Sequence, residues 1–252
     1  MPAQILILLY SIIFLYGIVI GSFLNVCILR IPAHESLVPG SHCTACGHRL
    51  RWYDLFPLFS YLLLKGRCRY CGAKISAQYP LVEGINGLLY IIVFMANGVG
   101  FSSVLYCLMT SALLVLSIVD WRTYEIPFPC SLFILGLGVV ACVLDVPGIM
   151  EHLIGLVIVS AALYLLYLFS GGRAIGGGDV KLMGAAGLLL GAKLIVLAFF
   201  LGCILGSVIH VLRMKLSGSG HVLAMGPYLS AGIFISALWG NRMIEWYLGL
   251  LV

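Results

Sequence analysis

The sequence predicts an all-α polytopic membrane protein of about eight transmembrane helices, with one small loop domain near its amino end. Three observations predict it. Of 252 residues, 62% are hydrophobic and only 9% charged, where soluble domains carry about 25% charged residues. Mean hydropathy is +1.14. The few charges are clustered, so long uncharged stretches alternate with short polar ones.

Residues 1–29 form the first expected element, a transmembrane helix. They contain no charge. A cleaved signal peptide needs a basic amino end and a short apolar core. This segment lacks Lys and Arg, and its apolar run from Ile5 to Leu29 is too long. Residues 30–80 are polar and form the loop domain. Residues 81–252 form a multi-helix membrane domain. Its first part, Gly84 to Val119, runs 36 residues without a charge. That length makes two spans, broken at ANGVG (Ala96–Gly100) by glycines and an asparagine. Ile126–Leu144 and His152–Gly172 are the fourth and fifth spans. Leu182–Ala192 is a short apolar segment between two lysines. Leu194–Leu212 and Leu216–Asn241 follow. The count reaches eight if the short segment crosses, with Lys181 and Lys193 snorkelling to opposite surfaces.

Orientation follows from positive charge, which stays in the cytoplasm. The loop holds Arg30, Arg49, Arg51, Lys65, Arg67, Arg69 and Lys74 against only Glu35 and Asp54. It is therefore placed inside, with the amino end outside. Counting spans forward puts Arg122, Arg173, Lys181, Arg213 and Lys215 inside too, and only Lys193 and Arg242 outside. The expected location is therefore a membrane, with the loop on its cytoplasmic side.

The nine cysteines divide into two groups. Cys27, Cys107, Cys130, Cys142 and Cys203 are scattered in apolar segments and read as small packing residues. The other four read CTAC (Cys43, Cys46) and CRYC (Cys68, Cys71). Two such knuckles 21 residues apart suit a tetrahedral four-thiolate zinc site. Gly47 and Gly72 follow the knuckles and permit the tight turns. Two disulfides are the rival reading, which a reducing cytosol disfavours. His42 and His48 flank the first knuckle as alternative ligands. Four thiolates leave no open coordination position, so the zinc is structural.

Two of the nine acids stand at span ends on one expected face: Asp120 in SIVDWRTYEIP and Asp179 in GGGDVK. The two spans between them return the chain to the same side. A single ionisable group at a span end can be merely interfacial, but two on one face, one of them beside a glycine run, point towards function. A close carboxylate pair cannot ionise twice with ease, so one partner serves as acid and the other activates water. That is aspartic-protease chemistry and needs no metal. Gly176, Gly177 and Gly178 would let a substrate backbone approach. A serine protease is disfavoured, since no Gly-x-Ser-x-Gly occurs and neither His210 nor His221 has an evident partner.

At these residues the chain resembles the type IV prepilin peptidases, the prepilin leader peptidases/N-methyltransferases of the GxGD class of intramembrane aspartic proteases. GSFLNVCILRIP (Gly21–Pro32) is similar to the family's first-span signature, and Cys43–Gly84 to its zinc-finger-like domain. Asp120 precedes IP (Ile126–Pro127) as in the first catalytic motif. GGGDVK (Gly176–Lys181) fits G-x-G-D-x-K, and MGPYLSAG (Met225–Gly232) resembles the late F-G-P-x-L motif. The family often carries Asp at the position of Phe128 and DNIP where this chain has DLFP (Asp54–Pro57).

The resemblance implies that Asp120 and Asp179 are the catalytic pair. It implies a prepilin or pseudopilin substrate, serving pili or secretion, with a short basic leader on the cytoplasmic side. Cleavage would follow the leader's last glycine. The new amino terminus would then be methylated from S-adenosylmethionine, a step linked to the loop. Glu83 and the basic loop residues are the candidates for the donor's pocket. Membrane lipids are expected partners, the basic loop suiting an anionic inner leaflet; no nucleic-acid partner is expected. Competing readings are a proton-coupled transporter using the same aspartates, a structural membrane partner, and a peptidase without methyltransferase activity.

Overall fold

The computed structural model describes residues 3–38, 40–173, 175–217 and 223–250. They form two compact units, Met1–Val99 and Gly100–Val252. Among the described residues there are nine α-helices and no β-strand beyond two isolated bridges. Five helices are long and apolar enough to cross a membrane.

In the first unit, α1 (Ala3–Arg30) and α3 (Gln78–Asn97) are two of those five. They approach closely because glycines face each other. A Cβ on Gly17 would come within 2.6 Å of Gly87 Cα, and one on Gly21 within 2.7 Å of Glu83 Cα. Small residues allow such approach where lipid gives no hydrophobic drive between helices. Polar groups then lock the pair. Asn86 Nδ2 donates to the Gly17 carbonyl at 2.8 Å, and Asn25 Nδ2 to that of Tyr79 at 3.1 Å. Between them, α2 (Phe59–Leu63) is a single short helix.

In the second unit, α4 (Phe101–Thr123), α6 (Ile149–Ser170) and α8 (Ala192–Ser217) complete the five. Two shorter helices, α5 (Phe128–Leu144) and α7 (Gly177–Leu190), and the terminal α9 (Gly226–Gly249) join them. The break expected at Ala96–Gly100 is present: α3 ends at Asn97, Gly98 adopts φ 74°, and α4 begins at Phe101. Helix α7 is the hub. Every residue from Leu182 to Leu190 is buried, as in a helix packed on all sides. Glycine makes this possible, since a side chain on Gly187 would collide with the Gly155 carbonyl of α6.

Each of the eight expected segments contains a helix among the described residues, but charges do not mark where several of these helices begin or end. The short segment is a 14-residue helix. At 1.5 Å per residue it measures about 21 Å, less than the ~30 Å hydrocarbon layer. It begins at Gly177, so Asp179 and Lys181 lie inside the helix. The eighth segment begins at Gly226 rather than Leu216, because α8 continues through Arg213 and Lys215 to Ser217. At its far end, Arg242 and Glu245 ride on an exposed helix face and do not end it.

Candidate active site and metal centre

Asp120 lies on the last turn of α4. The helix ends because Tyr124 turns left-handed at φ 57°, its N–H bonding back to the Asp120 carbonyl. The Asp120 side chain is buried, 3% exposed. Its Oδ2 accepts the Gly226 N–H at 2.9 Å. Gly226 is the first residue of α9, where backbone N–H groups have no partner within the helix. A Cβ there would come within 2.7 Å of Asp120 Oδ2. The position accepts glycine alone without displacing the carboxylate. In the sequence alone this glycine is one residue of MGPYLSAG, set apart from its neighbours only as part of a Gly-Pro pair opening an apolar helix.

Asp179 stands in the first turn of α7, its N–H bonded to the carbonyl of the capping Gly176 at 3.1 Å. Gly178 lets α7 start against Ile126, whose Cβ would be 2.7 Å from a side chain at that position. The structure brings the two aspartates into electrostatic reach of each other. Asp179 Oδ1 is buried without a hydrogen-bond partner. A buried carboxylate oxygen without a partner is rare and calls for an explanation. Nearby, the Lys181 ammonium sits over the Phe128 ring, 5.2 Å from its centroid. A cation–π contact therefore occupies the position where the family often has Asp.

The four loop cysteines also converge. The Sγ atoms of Cys43, Cys46, Cys68 and Cys71 all lie within 4.8 Å of one another, and Cys43 and Cys71 are 3.9 Å apart. Four thiolates around one zinc ion at about 2.3 Å are about 3.8 Å apart, whereas a disulfide is about 2.05 Å. All four are free. The two knuckles repeat one backbone design. Cys43 N–H bonds the His48 carbonyl and Gly47 N–H the Cys43 carbonyl; Cys68 and Gly72 do the same with Ala73 and Cys68. Gly47 and Gly72 take φ 70° and 71°.

The clustered thiols also perturb one another's ionisation. Backbone N–H groups of Cys46 and Ala45 lower the Cys43 thiol. At Cys71 the Ala73 N–H, which favours the thiolate, is outweighed by desolvation and the three other thiols, and its pKa rises. Clustered thiols cannot all ionise alone, and a divalent metal removes that penalty. His42 and His48 are not in the cluster; His48 stacks on Tyr70 with centroids 3.7 Å apart.

The loop has a second organiser, Asp54, the first residue of DLFP. Its side chain is 3% exposed. It accepts from Arg69 Nε at 2.8 Å, the Tyr70 hydroxyl at 3.1 Å and the Arg51 N–H at 3.3 Å. Arg69 and Tyr70 lie within the second knuckle and Arg51 just beyond the first, so one carboxylate braces both.

Other expected residues are accounted for. Cys27, Cys107, Cys130 and Cys142 are buried and Cys203 is half-buried, as packing residues should be. The donor-pocket candidates are partly engaged elsewhere: Glu83 Oε2 accepts the Leu58 N–H, and Arg30 donates to the Ser36 carbonyl. His210 is on α8, and His221 lies outside the described residues.

Two family models match the chain: the bacterial peptidase A24 N-terminal domain over residues 15–97, and the type IV leader peptidase family over residues 107–211. A prepilin leader peptidase/N-methyltransferase of Aeromonas salmonicida is 30% identical over 96% of this chain and 94% of its own. One from Pseudomonas putida is 31% identical over 90% and 89%. One from Bacillus subtilis is 29% identical over 94% and 97%. No solved structure matches at a significant level. With such identity over nearly its whole length, the chain belongs to the type IV leader peptidase family, that of the prepilin leader peptidases/N-methyltransferases.

Proposed function

We propose that the chain removes the short basic leader from type IV prepilins or pseudopilins with Asp120 and Asp179, and methylates the new amino terminus. The observation that carries this is the pairing of one fixed carboxylate with one open carboxylate oxygen: Asp120 Oδ2 held by the Gly226 N–H, Asp179 Oδ1 buried and unpartnered. One member of the pair keeps a proton and bonds the scissile carbonyl oxygen. The other takes a proton from water, whose oxygen adds to the carbonyl carbon. The tetrahedral adduct then collapses, the C–N bond breaks, and the leaving amine takes a proton from the pair. The pair titrates as a unit, so the roles belong to the dyad.

In this reading about eight helices cross the inner membrane, and the aspartates and cysteine loop face the cytoplasm. A pilin precursor has a basic leader inside and an apolar helix in the bilayer, so its cleavage site lies at that interface. The four cysteines hold a structural zinc ion, which would fix the two knuckles together. S-adenosylmethionine would supply the methyl group.

The test is reconstitution with a prepilin, followed by mass spectrometry. Wild type should lose the leader mass and gain a methyl when S-adenosylmethionine is present. Asp120→Asn and Asp179→Asn should each cleave about 10²–10⁴-fold more slowly, the range that positioned acid–base groups contribute. Undiminished cleavage in either variant would rule out the dyad. Cleavage without methylation would keep the peptidase and remove the transferase half.

A further inference from the structure

We propose that residues 55–64, LFPLFSYLLL, re-enter the bilayer, and that the groove they form with α1 holds a phospholipid acyl chain. The sequence places this stretch in a polar loop, yet it has no charge between Asp54 and Lys65. Its side chains are not packed away as a water-soluble loop would require: Leu62 is 69% and Leu63 82% exposed, with Phe56 and Phe59 also exposed. A contiguous apolar surface of this kind marks a membrane or partner contact.

Its anchorage fixes the depth. The Leu58 N–H donates to Glu83 Oε2 at 2.8 Å, and a Cβ on Gly84 would lie 3.9 Å from Leu58 Cδ2. Glu83 faces Gly21 of α1. Arg30 is the first charge of the chain, and Gly21 stands nine residues before it, about 14 Å along the helix. The segment therefore lies beside the membrane-spanning part of α1. From there it forms an apolar groove of about 630 Å³, whose walls include Leu6, Tyr10 and Leu15 of α1, Ile91 of α3, and Phe59 and Leu62. Leu15 is fifteen and Leu6 twenty-four residues from Arg30, about 22 and about 36 Å, so the groove runs from hydrocarbon depth towards the far end of α1.

Much of the segment's backbone is already paired within the protein. Hydrocarbon offers no partner to a bare N–H. Pro57 has none to satisfy. Leu58 gives its N–H to Glu83, Phe59 to Pro57, Ser60 to Phe56, Leu62 to Leu58, Leu64 to Ser60 and Lys65 to Leu62. The one serine on the α1 wall, Ser11, turns its hydroxyl to its own helix, on the Ile7 carbonyl. A groove so lined gives a charged or polar ligand little to bind, and suits a flexible hydrocarbon chain.

The experiment puts a diazirine-bearing amino acid in place of Leu62, Leu63 or, as a control, His48, in the full chain. The protein is reconstituted in phosphatidylethanolamine/phosphatidylglycerol vesicles with a prepilin present and illuminated, and the adducts are weighed. Both leucine positions are surface positions, so the substitutions leave the fold intact. Phospholipid adducts at 62 and 63 and their loss at 48 are expected. Water adducts dominating at 62 and 63 would overturn the proposal. Adducts to the prepilin's apolar helix would overturn it too, making the groove a substrate site.

Discussion

The cysteine module and the aspartate site gather their functional groups in opposite ways. The module is local: four thiols from residues 43–71 converge because each knuckle closes on its own backbone bonds and a left-handed glycine. The aspartate site is assembled from residues 120, 179 and 226, at the ends of three helices, and it exists only once α4, α7 and α9 have packed. The first is held by a metal's worth of ligands in a region with almost no core. The second is held by glycines that let buried helices touch. The two should therefore fail to different insults, and each failure can be measured separately.

The largest effects should come from the groups themselves. Replacing Cys43 and Cys68 by Ser removes one thiolate from each knuckle. Structural zinc contributes an apparent ~10–16 kcal/mol in small domains that cannot fold without it. Bound zinc, measured by plasma emission, should fall from one equivalent to near none, and methylation should go with it. Leader cleavage should persist, because the dyad draws on none of these residues. Loss of cleavage together with zinc would break the comparison, tying the two sites into one.

Gly226→Ala sharpens it from the other side. The added methyl would meet Asp120 Oδ2 at 2.7 Å, so the carboxylate or the start of α9 must shift. Displacements near 1 Å at a catalytic group cost about 10²-fold. Cleavage kcat should fall by about that factor, with zinc content and KM little changed. An Ala variant as active as wild type would mean that Asp120 is not held by this N–H during turnover.

The same contrast explains what the sequence reveals. The knuckles, their glycines and the four ligands are legible because spacing within one short stretch fixes the geometry. The helices are legible because uncharged length is the physical requirement for crossing lipid. Their ends are not, where charge was the stop signal: Arg213, Lys215, Arg242 and Glu245 sit on helices without ending them. The aspartates are legible as costly residues at span ends. Gly226 is not, since its role is one N–H and one missing methyl, both defined by a helix 106 residues away. Nor is the course of residues 55–64, because charge counting averages ten apolar residues into a basic loop.

The smallest effect, and the most specific to the module, concerns Asp54. Desolvation disfavours its charged form, but the Arg69 guanidinium, the Arg51 N–H and the Tyr70 hydroxyl together outweigh this and lower its pKa below the ordinary carboxylate value. The sign follows from linkage. A group that binds its proton less readily when folded contributes stability above its unfolded pKa, near 4, and loses it as pH falls through the lower folded value. Arg69 is half exposed, so solvent screens the pair and the contribution is modest. Asp54→Asn should therefore lower the module's melting temperature by a few degrees between pH 6 and 8, with zinc retained, and the gap should close below about pH 4. A gap that stays constant down to pH 3 would assign the effect to packing, and leave the four converging cysteines as the module's sole organiser.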